Sequence, residues 1–270
     1  MHRPERTAMR ITLLGTGTST GIPIIGCSCT TCTSEDPRDK RLRCACHIEY
    51  CDLSLVIDTG PDFRQQMLRA DIRRLDAVLW THHHFDHIVG LDDLRPYFFG
   101  APDPMPCFAR PESAREMRRI FQYVFDPGSS YRGAPKLDLH ARSAPFTVRS
   151  RYGAPDVMRV VPIELVHGDM RVNGYRMGGF AYLTDVNQVP QASYAELQDL
   201  DVLVLDALRY RPHPRHFTIR QAIEVGRRIG ARKTVLIHLT HSILHARDEA
   251  RLPEGFMLGY DGMELSATCP

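Results

Sequence analysis

No long apolar run occurs in this sequence of 270 residues. A membrane-spanning helix needs roughly 18 or more consecutive apolar residues, and no segment approaches that length. The leading segment Met1–Arg10 also lacks the apolar stretch of a secretory signal. We therefore predict a cytoplasmic protein without a membrane partner, in which residues 1–8 form a disordered extension and residues 9–270 form a single domain.

The sequence also lacks an excess of charge of either sign. It contains 34 Lys and Arg against 32 Asp and Glu, a net charge of +2, and the basic residues are scattered among acidic ones. Proteins that bind nucleic acid usually concentrate positive charge on one face, so a nucleic-acid partner is not predicted. Internal repeats and low-complexity tracts are absent as well. With a hydrophobic content of 43%, the chain can bury the core of one layered α/β domain.

Metal-binding side chains, in contrast, are concentrated in one short segment. The motif His-x-His-x-Asp-His places four of them close together: His82, His84, Asp86 and His87. Imidazole and carboxylate groups are ligands of zinc and related transition metals. The preceding Leu75–Trp80 is predicted to be a buried strand, so the motif lies on the loop that leaves it. Because alternate residues of an extended segment point the same way, His82 and His84 are predicted to hold one metal and Asp86 and His87 to reach a second. The alternative is a solvated, His-rich turn.

Three further candidate ligands follow strand-like segments later in the chain. They are His167 after Val160–Val166, Asp185 after Phe180–Thr184 and His238 after Thr234–Ile237. Scaffolds often present catalytic groups on loops at the carboxyl ends of strands. A lone histidine after a strand is often structural, but the three residues together supply the ligands that two metals would still need.

The full set of motifs resembles the signature of the metallo-β-lactamase-fold hydrolases. That resemblance implies an α/β protein, the αββα sandwich of the metallo-β-lactamase fold. Strand-like runs at 9–14, 54–57, 77–80, 160–165, 180–184, 202–205, 234–237 and near 263–265 are consistent with it, as are helical patterns at 111–125 and 218–229.

The resemblance also implies roles for the candidate ligands. In that family, the equivalents of His82, His84 and His167 hold the first metal, and those of Asp86, His87 and His238 hold the second. The equivalent of Asp185 bridges the two. Asp58, at the end of Ser54–Ile57, matches an Asp that usually supports the histidine loop from behind. A turn-forming Asp before glycine is the alternative interpretation of Asp58.

Three of the eight cysteines form the motif Cys-x-Cys-x-x-Cys, at Cys27, Cys29 and Cys32. Three thiolates in one turn are typical of a compact zinc site that needs a fourth ligand from elsewhere. A set of free thiols in a polar loop is the alternative. The fourth ligand could come from the nearby residues Cys44, Cys46, His47 and Cys51, although that segment is interpreted as ordinary packing. His241, three residues after His238, is the better candidate.

This cysteine motif, after a Gly-Thr-Gly opening and with a His-x-x-His near the carboxyl end, resembles the PhnP-type phosphodiesterases. In those proteins the three cysteines and the second histidine bind a structural zinc, and the resemblance suggests a homodimer. The glycine-rich segment 15–21 lacks the ending of a P-loop and is predicted to be a tight turn beside the metal site. Contact of its amides with substrate phosphate is the alternative.

The segment Asp206–His216 is rich in Pro and Arg and is predicted to be an irregular loop over the metals. By the resemblance, His216 is the general acid and Asp86 is a ligand with a catalytic role; His213 competes with His216. Arg209, Arg211 and Arg215 could neutralise substrate phosphate or could be solvated charges.

We predict a dinuclear phosphodiesterase that hydrolyses a small cyclic or nucleotide-like phosphodiester through a metal-bridging hydroxide. Its cofactors would be two catalytic divalent metals, zinc or manganese, and one structural zinc. The alternatives are an RNase Z-like nuclease, a thiolester or lactone hydrolase on the same fold, and a binding module in which both metal sites are structural.

Overall fold

A computed structural model of the protein describes residues 8–98, 103–126, 128–129 and 131–269. Over these residues the chain forms two sheets of seven strands each. The strands are β1 (Met9–Gly15), β2 (Ala45–Tyr50), β3 (Leu53–Ile57), β4 (Ala77–Leu79), β5 (Met105–Ala109), β6 (Leu137–Ala141), β7 (Phe146–Arg149), β8 (Val157–His167), β9 (Met170–Met177), β10 (Phe180–Leu183), β11 (Val202–Asp206), β12 (Lys233–Ile237), β13 (Phe256–Leu258) and β14 (Glu264–Ala267). The strand order is β14-β1-β2-β3-β4-β5-β6 in the first sheet and β13-β12-β11-β10-β9-β8-β7 in the second.

Helices cover the outer faces of both sheets. They are α1 (Thr30–Thr33), α2 (Phe63–Arg69), α3 (Phe85–Ile88), α4 (Pro111–Ile120), α5 (Gln122–Phe125), α6 (Ile219–Ile229) and α7 (His245–Glu249), with 3₁₀ segments at Pro37–Asp39, Val89–Phe98 and Gln191–Leu197. Apolar residues of α2 and α4 pack against the first sheet, and those of α6 pack against the second. A third apolar cluster lies between the sheets. The predicted αββα sandwich is therefore confirmed.

Each sheet is half parallel and half antiparallel. Strands β3 to β6 are parallel in the first sheet, and β10 to β13 are parallel in the second. The middle strands of the two sheets, β3 and β10, are buried along their whole length, as expected for strands covered on both faces. The carboxyl ends of β3, β4, β10, β11 and β12 meet at one edge of the sandwich. His167, the last residue of β8, lies at the same edge, and the other candidate ligands come just after these strand ends.

The sequence predicted eight of the fourteen described strands and the helical segments 111–125 and 218–229, and it missed the others. The predicted run 111–125 is interrupted at Phe121, whose backbone leaves the helical region, so that two helices form. Strands β2, β5, β6, β7, β9 and β13 were not predicted, because they are short or carry mixed polarity. The first strand begins at Met9 as expected, whereas residues 1–7 of the predicted extension lie outside the described residues. No described helix is both long and apolar enough to cross a bilayer.

Candidate metal centres and catalytic groups

The histidine motif is fixed by Asp58, which directly follows β3. The backbone amide and the hydroxyl of Thr81 each donate to the Asp58 carboxylate over 2.8 Å. Since the Thr81 hydroxyl proton is used in this way, Nδ1 of His82 must donate to the Thr81 oxygen, 3.1 Å away. The Nε2 atom of His82 is then an unprotonated lone pair, which is the form that binds a metal.

The same polarity is imposed on two other histidines. Nδ1 of His87 lies 2.7 Å from Oδ2 of Asp58, and Nδ1 of His167 lies 2.8 Å from the carbonyl oxygen of Arg215. Both acceptors lack protons, so each Nδ1 carries the hydrogen and each Nε2 is left as a ligand atom. Asp58 therefore supports the loop, as the resemblance implied, and is more than a turn residue.

The side chains of His82, His84 and His167 form one group whose ligand atoms lie within 4.8 Å of one another, as do those of Asp86, His87 and His238. His84 approaches His82 closely, with 2.8 Å between Nδ1 and Nε2. The structure thus brings together the two ligand sets that the sequence suggested. Asp86 and His87 lie in the short helix α3, and not in a loop before a later helix.

Asp185 lies between the two groups. Its Oδ2 is 3.2 Å from Nε2 of His87, and its Oδ1 is 3.4 Å from Nε2 of His238 and 3.9 Å from Nε2 of His167. Within the described residues, Nε2 of His87 and Nε2 of His238 are buried without a hydrogen bond. Buried polar atoms without partners are costly, and a divalent cation beside a carboxylate would satisfy them. The donor set therefore fits a metal pair.

Three residues of this edge have strained backbones. Asp58, Asp185 and His238 have φ values of 65°, 52° and 61°, in the left-handed region that few residues other than glycine adopt. Each directly follows a strand or lies within two residues of its end. Close packing adds to the constraint, since a Cβ on Gly60 would lie 2.1 Å from the carbonyl oxygen of Asp86.

Burial sets the protonation of the histidines. It lowers the pKa of His82 well below its ordinary value and that of His84 to about 4. Burial also acts to lower the pKa of His87, but Asp185, Asp86 and Asp58 outweigh it and raise that pKa well above the ordinary value. Neutral imidazoles are the metal-binding form, so most of the cluster is poised to bind cations without first losing protons.

Asp206, the last residue of β11, is a functional candidate that was not predicted from the sequence, where it marks only the start of a predicted loop. Its buried Oδ2 lies 3.0 Å from Nδ1 of His216, and its Oδ1 lies 3.5 Å from Nδ1 of His238. The sequence contained a signal for this role, because Asp206 ends an apolar strand in the same way that Asp58 follows one. Nε2 of His216 faces the metal cluster, 3.9 Å from Oδ1 of Asp185. Burial lowers the pKa of His216, which makes its imidazolium a stronger acid.

The cysteine motif forms a second cluster with His241. Nδ1 of His241 lies 3.3 Å from the sulfur of Cys27, 3.5 Å from that of Cys29 and 3.9 Å from that of Cys32. Hydrogen bonding, chiefly from the backbone of Cys32, lowers the pKa of Cys29 to about 6. The four residues have the composition and proximity of a closed zinc site.

The other nearby cysteines are not part of this cluster. Cys44 and Cys46 are buried beside and within β2, and Cys51 is exposed in the turn that follows it. The ring of His47 bonds to the Ser54 hydroxyl over 2.8 Å. These contacts agree with the interpretation of this segment as ordinary packing, which stays a prediction.

A cavity of about 680 Å³ lies between the two clusters. Hydroxyl-bearing residues of the glycine-rich segment line one side, and the loop after β11 lines another. Arg209, Arg211 and His213 reach the cavity together with His216, and among the residues that the structure describes no carboxylate lines it. Arg215 instead pairs with Asp169, 3.4 Å away, so the three arginines of this loop differ in role.

The model of the β-lactamase superfamily domain matches residues 54–239 of this sequence. The chain belongs to that superfamily of metal-dependent hydrolases and has the metallo-β-lactamase fold. Within the superfamily it is a PhnP-like protein. It is 35% identical to a diphosphatase from the PhnP family, whose crystal structure matches with a TM-score of 0.89 over 98% of this chain and 100% of the other.

Two further similarities concern proteins with other names. An octanoyltransferase of Porphyromonas gingivalis is 41% identical over 261 residues, which are 95% of this chain and 51% of that protein. The chain thus spans about half the length of this curated relative. The short form of human tRNase Z matches with a TM-score of 0.68 and 16% identity over 97% of this chain and 99% of the other, a likeness of fold alone.

Proposed function

We propose that the protein is a dinuclear metal phosphodiesterase that acts on a small cyclic or nucleotide-like phosphodiester. One observation carries the proposal: Asp185 lies between two histidine groups, and His216 faces the same point from beside a cavity whose described lining includes arginines and no carboxylate. A phosphodiester is anionic, and positive side chains in a cavity attract such substrates. The similarity to a diphosphatase also supports hydrolysis of a bond between phosphorus and oxygen.

In this proposal, a metal pair held by His82, His84, His167, Asp86, His87 and His238 and bridged by Asp185 would supply activated water and neutralise charge on the phosphoryl group. The side chains provide orientation and a proton. Asp58 fixes the donor nitrogens of the histidine loop, directly and through Thr81.

His216 gives its Nε2 proton to the departing oxygen, and Asp206 holds the ring through Nδ1. A buried carboxylate in that position stabilises the imidazolium in the same manner as in other catalytic pairs. His213 lies beside His216, with 5.1 Å between ring centroids, but it is His216 whose Nε2 lies 3.9 Å from Oδ1 of Asp185. We assign the acid role to His216.

An acyl thioester is the second candidate substrate, because of the similarity to an octanoyltransferase. The lining of the cavity opposes it. An octanoyl chain would need an apolar pocket, whereas the aliphatic side chains that reach this cavity are Ile24 and Leu208. The name also describes a protein about twice as long. A nuclease acting on tRNA is disfavoured by the small net charge.

The test is a substrate screen with purified protein loaded with zinc or manganese. A cyclic nucleotide, a nucleoside diphosphate and an aryl phosphodiester should be hydrolysed, and an octanoyl thioester and a lactone should not. His82→Ala should abolish turnover, whereas His140→Ala, a matched change in β6 away from the clusters, should not. Turnover of the thioester alone would overturn the proposal, and binding without turnover of any substrate would favour a binding module. The expected homodimer and cytoplasmic location stay predictions.

A further inference from the structure

The cavity between the two clusters has walls from three distant parts of the chain. They are the segment around Thr18, Thr20 and Ile24, the loop after β11, and the segment Thr240 to Ser242. His216 lies on one side of this cavity and His241, a member of the cysteine cluster, lies on another. A ligand that fills the cavity would therefore lie between the catalytic acid and the cysteine cluster.

The cysteine cluster is bonded directly to one of these walls. The amide of Ile24 donates to the sulfur of Cys32 over 3.4 Å, and the amide of Cys27 donates to the carbonyl of Ile24 over 3.0 Å. Ile24 is thus held at both its backbone amide and its backbone carbonyl by the cysteine loop. Loss of the cluster would release a residue that faces the substrate.

The segment Thr240 to Ser242 is tied to the segment around Thr18 and to the catalytic edge through the preceding residue, Leu239. The amide of Leu239 donates to the carbonyl of Thr16 over 3.0 Å, and the amide of Thr18 donates to the carbonyl of Leu239 over 3.2 Å. Leu239 follows His238 and precedes the pair Thr240 and His241. The amide of Thr240 then donates to the carbonyl of Leu208, at the start of the loop after β11.

Arg41 fastens the cysteine loop to the same segment from behind. It is fully buried, exchanges backbone hydrogen bonds with Ile22 over 2.8 and 2.9 Å, and donates from Nη1 to the carbonyl of Ile243 over 3.2 Å. Its Nη2 lies 3.3 Å from Asp39, which accepts the amide of His245. A buried, paired guanidinium of this kind fixes geometry, because leaving it without partners would be costly.

We propose that the cysteine cluster is a positioning element for the substrate, in addition to a support of the fold. By holding Ile24 and the His241 segment in place, it sets the affinity of the cavity for the part of the substrate that departs. The histidine cluster on the other side of His216 performs the chemistry. This inference rests on the proposed phosphodiesterase function, and its experiments are chosen so that the two can fail separately.

The first experiment separates binding from turnover. Cys27→Ser should raise KM for a cyclic nucleotide about tenfold and leave kcat within about twofold, because it removes binding that is equal in ground and transition states. Metal content of the histidine cluster is measured on the same samples. Cys51→Ser is the matched control, since Cys51 is exposed and lies outside both clusters, and it should change neither constant.

A conservative variant distinguishes positioning from general loss of stability. Cys27→His keeps a metal ligand at this position and should restore most of the KM. A folded Cys27→Ser protein with unchanged KM would overturn the inference. A fall of kcat as large as the expected rise of KM, with the histidine cluster fully occupied by metal, would also overturn it.

A second measurement needs no variant and no turnover. Cobalt in the cysteine cluster gives a near-ultraviolet thiolate-to-metal absorption that the histidine cluster, which has no thiolate, cannot give. AMP is large enough to extend from the histidine cluster into the cavity, so it should shift this absorption. Inorganic phosphate should bind at the histidine cluster alone and leave the absorption unchanged. No shift with saturating AMP, or the same shift with phosphate, would overturn the inference. If AMP shifts the absorption of a protein that hydrolyses no diester, the inference about the cysteine cluster stands and the proposed phosphodiesterase function is rejected.

Discussion

Asp206 orients two histidines with one carboxylate. Oδ2 faces His216 and Oδ1 faces His238, and the amides of Val186 and Phe217 donate to the same Oδ2 over 3.2 and 3.3 Å. Burial raises the pKa of Asp206 well above its ordinary value, against the opposing charge of His238. The residue therefore links the proposed acid, His216, to a proposed metal ligand, His238, whereas the ring of His213 accepts the amide of Arg215 over 3.3 Å.

His216→Ala should slow hydrolysis of a cyclic sugar phosphate by about 10²–10⁴-fold, the usual contribution of a general acid. An activated aryl diester should be almost unaffected, because a phenolate can leave without a proton. Kinetics on both substrates, with metal content measured alongside, check this prediction.

His213→Ala is the matched control for that experiment. Its ring lies beside that of His216, so it should alter binding slightly and show no dependence on the leaving group. If the His216 variant loses the same fraction of its rate on both substrates, His216 is not the acid. The same comparison on His213→Ala would then show whether His213 is the acid.

His47 makes stability depend on pH at a site away from the metals. Burial, with a smaller effect of Arg10, lowers its pKa to about 3, from 6.5 for an ordinary histidine. Between these values the unfolded chain binds a proton that the folded chain does not, so the free energy of unfolding falls as pH falls below about 6.5. The slope from this residue is up to about 1.4 kcal/mol per pH unit.

His47→Gln should reduce that loss of stability on acidification. Denaturant unfolding of both proteins without metals at about pH 5 and about pH 8 measures the difference, which should shrink in the variant. At the higher pH, any remaining difference reports the lost contact with Ser54 alone. An unchanged pH dependence would show that His47 is not a source of it.

At the scale of elements, the cysteine loop is too short to fold by itself. Helix α1 has four residues, and its partner His241 is more than 200 positions away in sequence. Metal binding at such a site is part of the folding free energy. The loop and the end of β12 therefore stabilise each other only when the cluster is complete.

Cys29→Ser and His241→Ala should each lower Tm by about 10 °C or more, on a scale of roughly 2–4 °C per kcal/mol for a chain of this size. The folded fraction should keep near-normal kcat. Calorimetry and zinc content check this, with Cys51→Ser as the control for loss of a thiol. Retention of zinc in His241→Ala with its loss in Cys46→Ser would mean that the fourth ligand is misassigned.

At the scale of the whole molecule, the proposed metal pair joins the two sheets. The histidine motif follows β4 of the first sheet, whereas His167, Asp185 and His238 follow strands of the second. Neither sheet alone supplies a complete site. Metal binding should therefore stabilise the packing of one sheet on the other at this edge.

Three metals per chain are expected, and Asp185→Ala should lose the catalytic pair while the cysteine-bound ion remains. The bridge contacts both histidine groups and does not contact the distant cluster. Elemental analysis of wild type and variant measures this directly. One metal or fewer in well-folded wild type would contradict it, as would loss of all metals in the variant.

The sequence by itself determined the residue types and their order. The spacing His-x-His-x-Asp-His, the candidate ligands after later apolar segments and the cysteine motif were sufficient to show a resemblance to a known family, and that resemblance implied the fold class and the two groups of ligands. The tertiary structure decided what depends on contacts between distant residues. In the structure, Asp206 contacts His216. His241, and not Cys44, Cys46, His47 or Cys51, lies beside the three cysteines. Arg209 lines the cavity, whereas Arg215 pairs with Asp169. These contacts depend on which strand ends meet at one edge, and the local sequence does not encode that meeting.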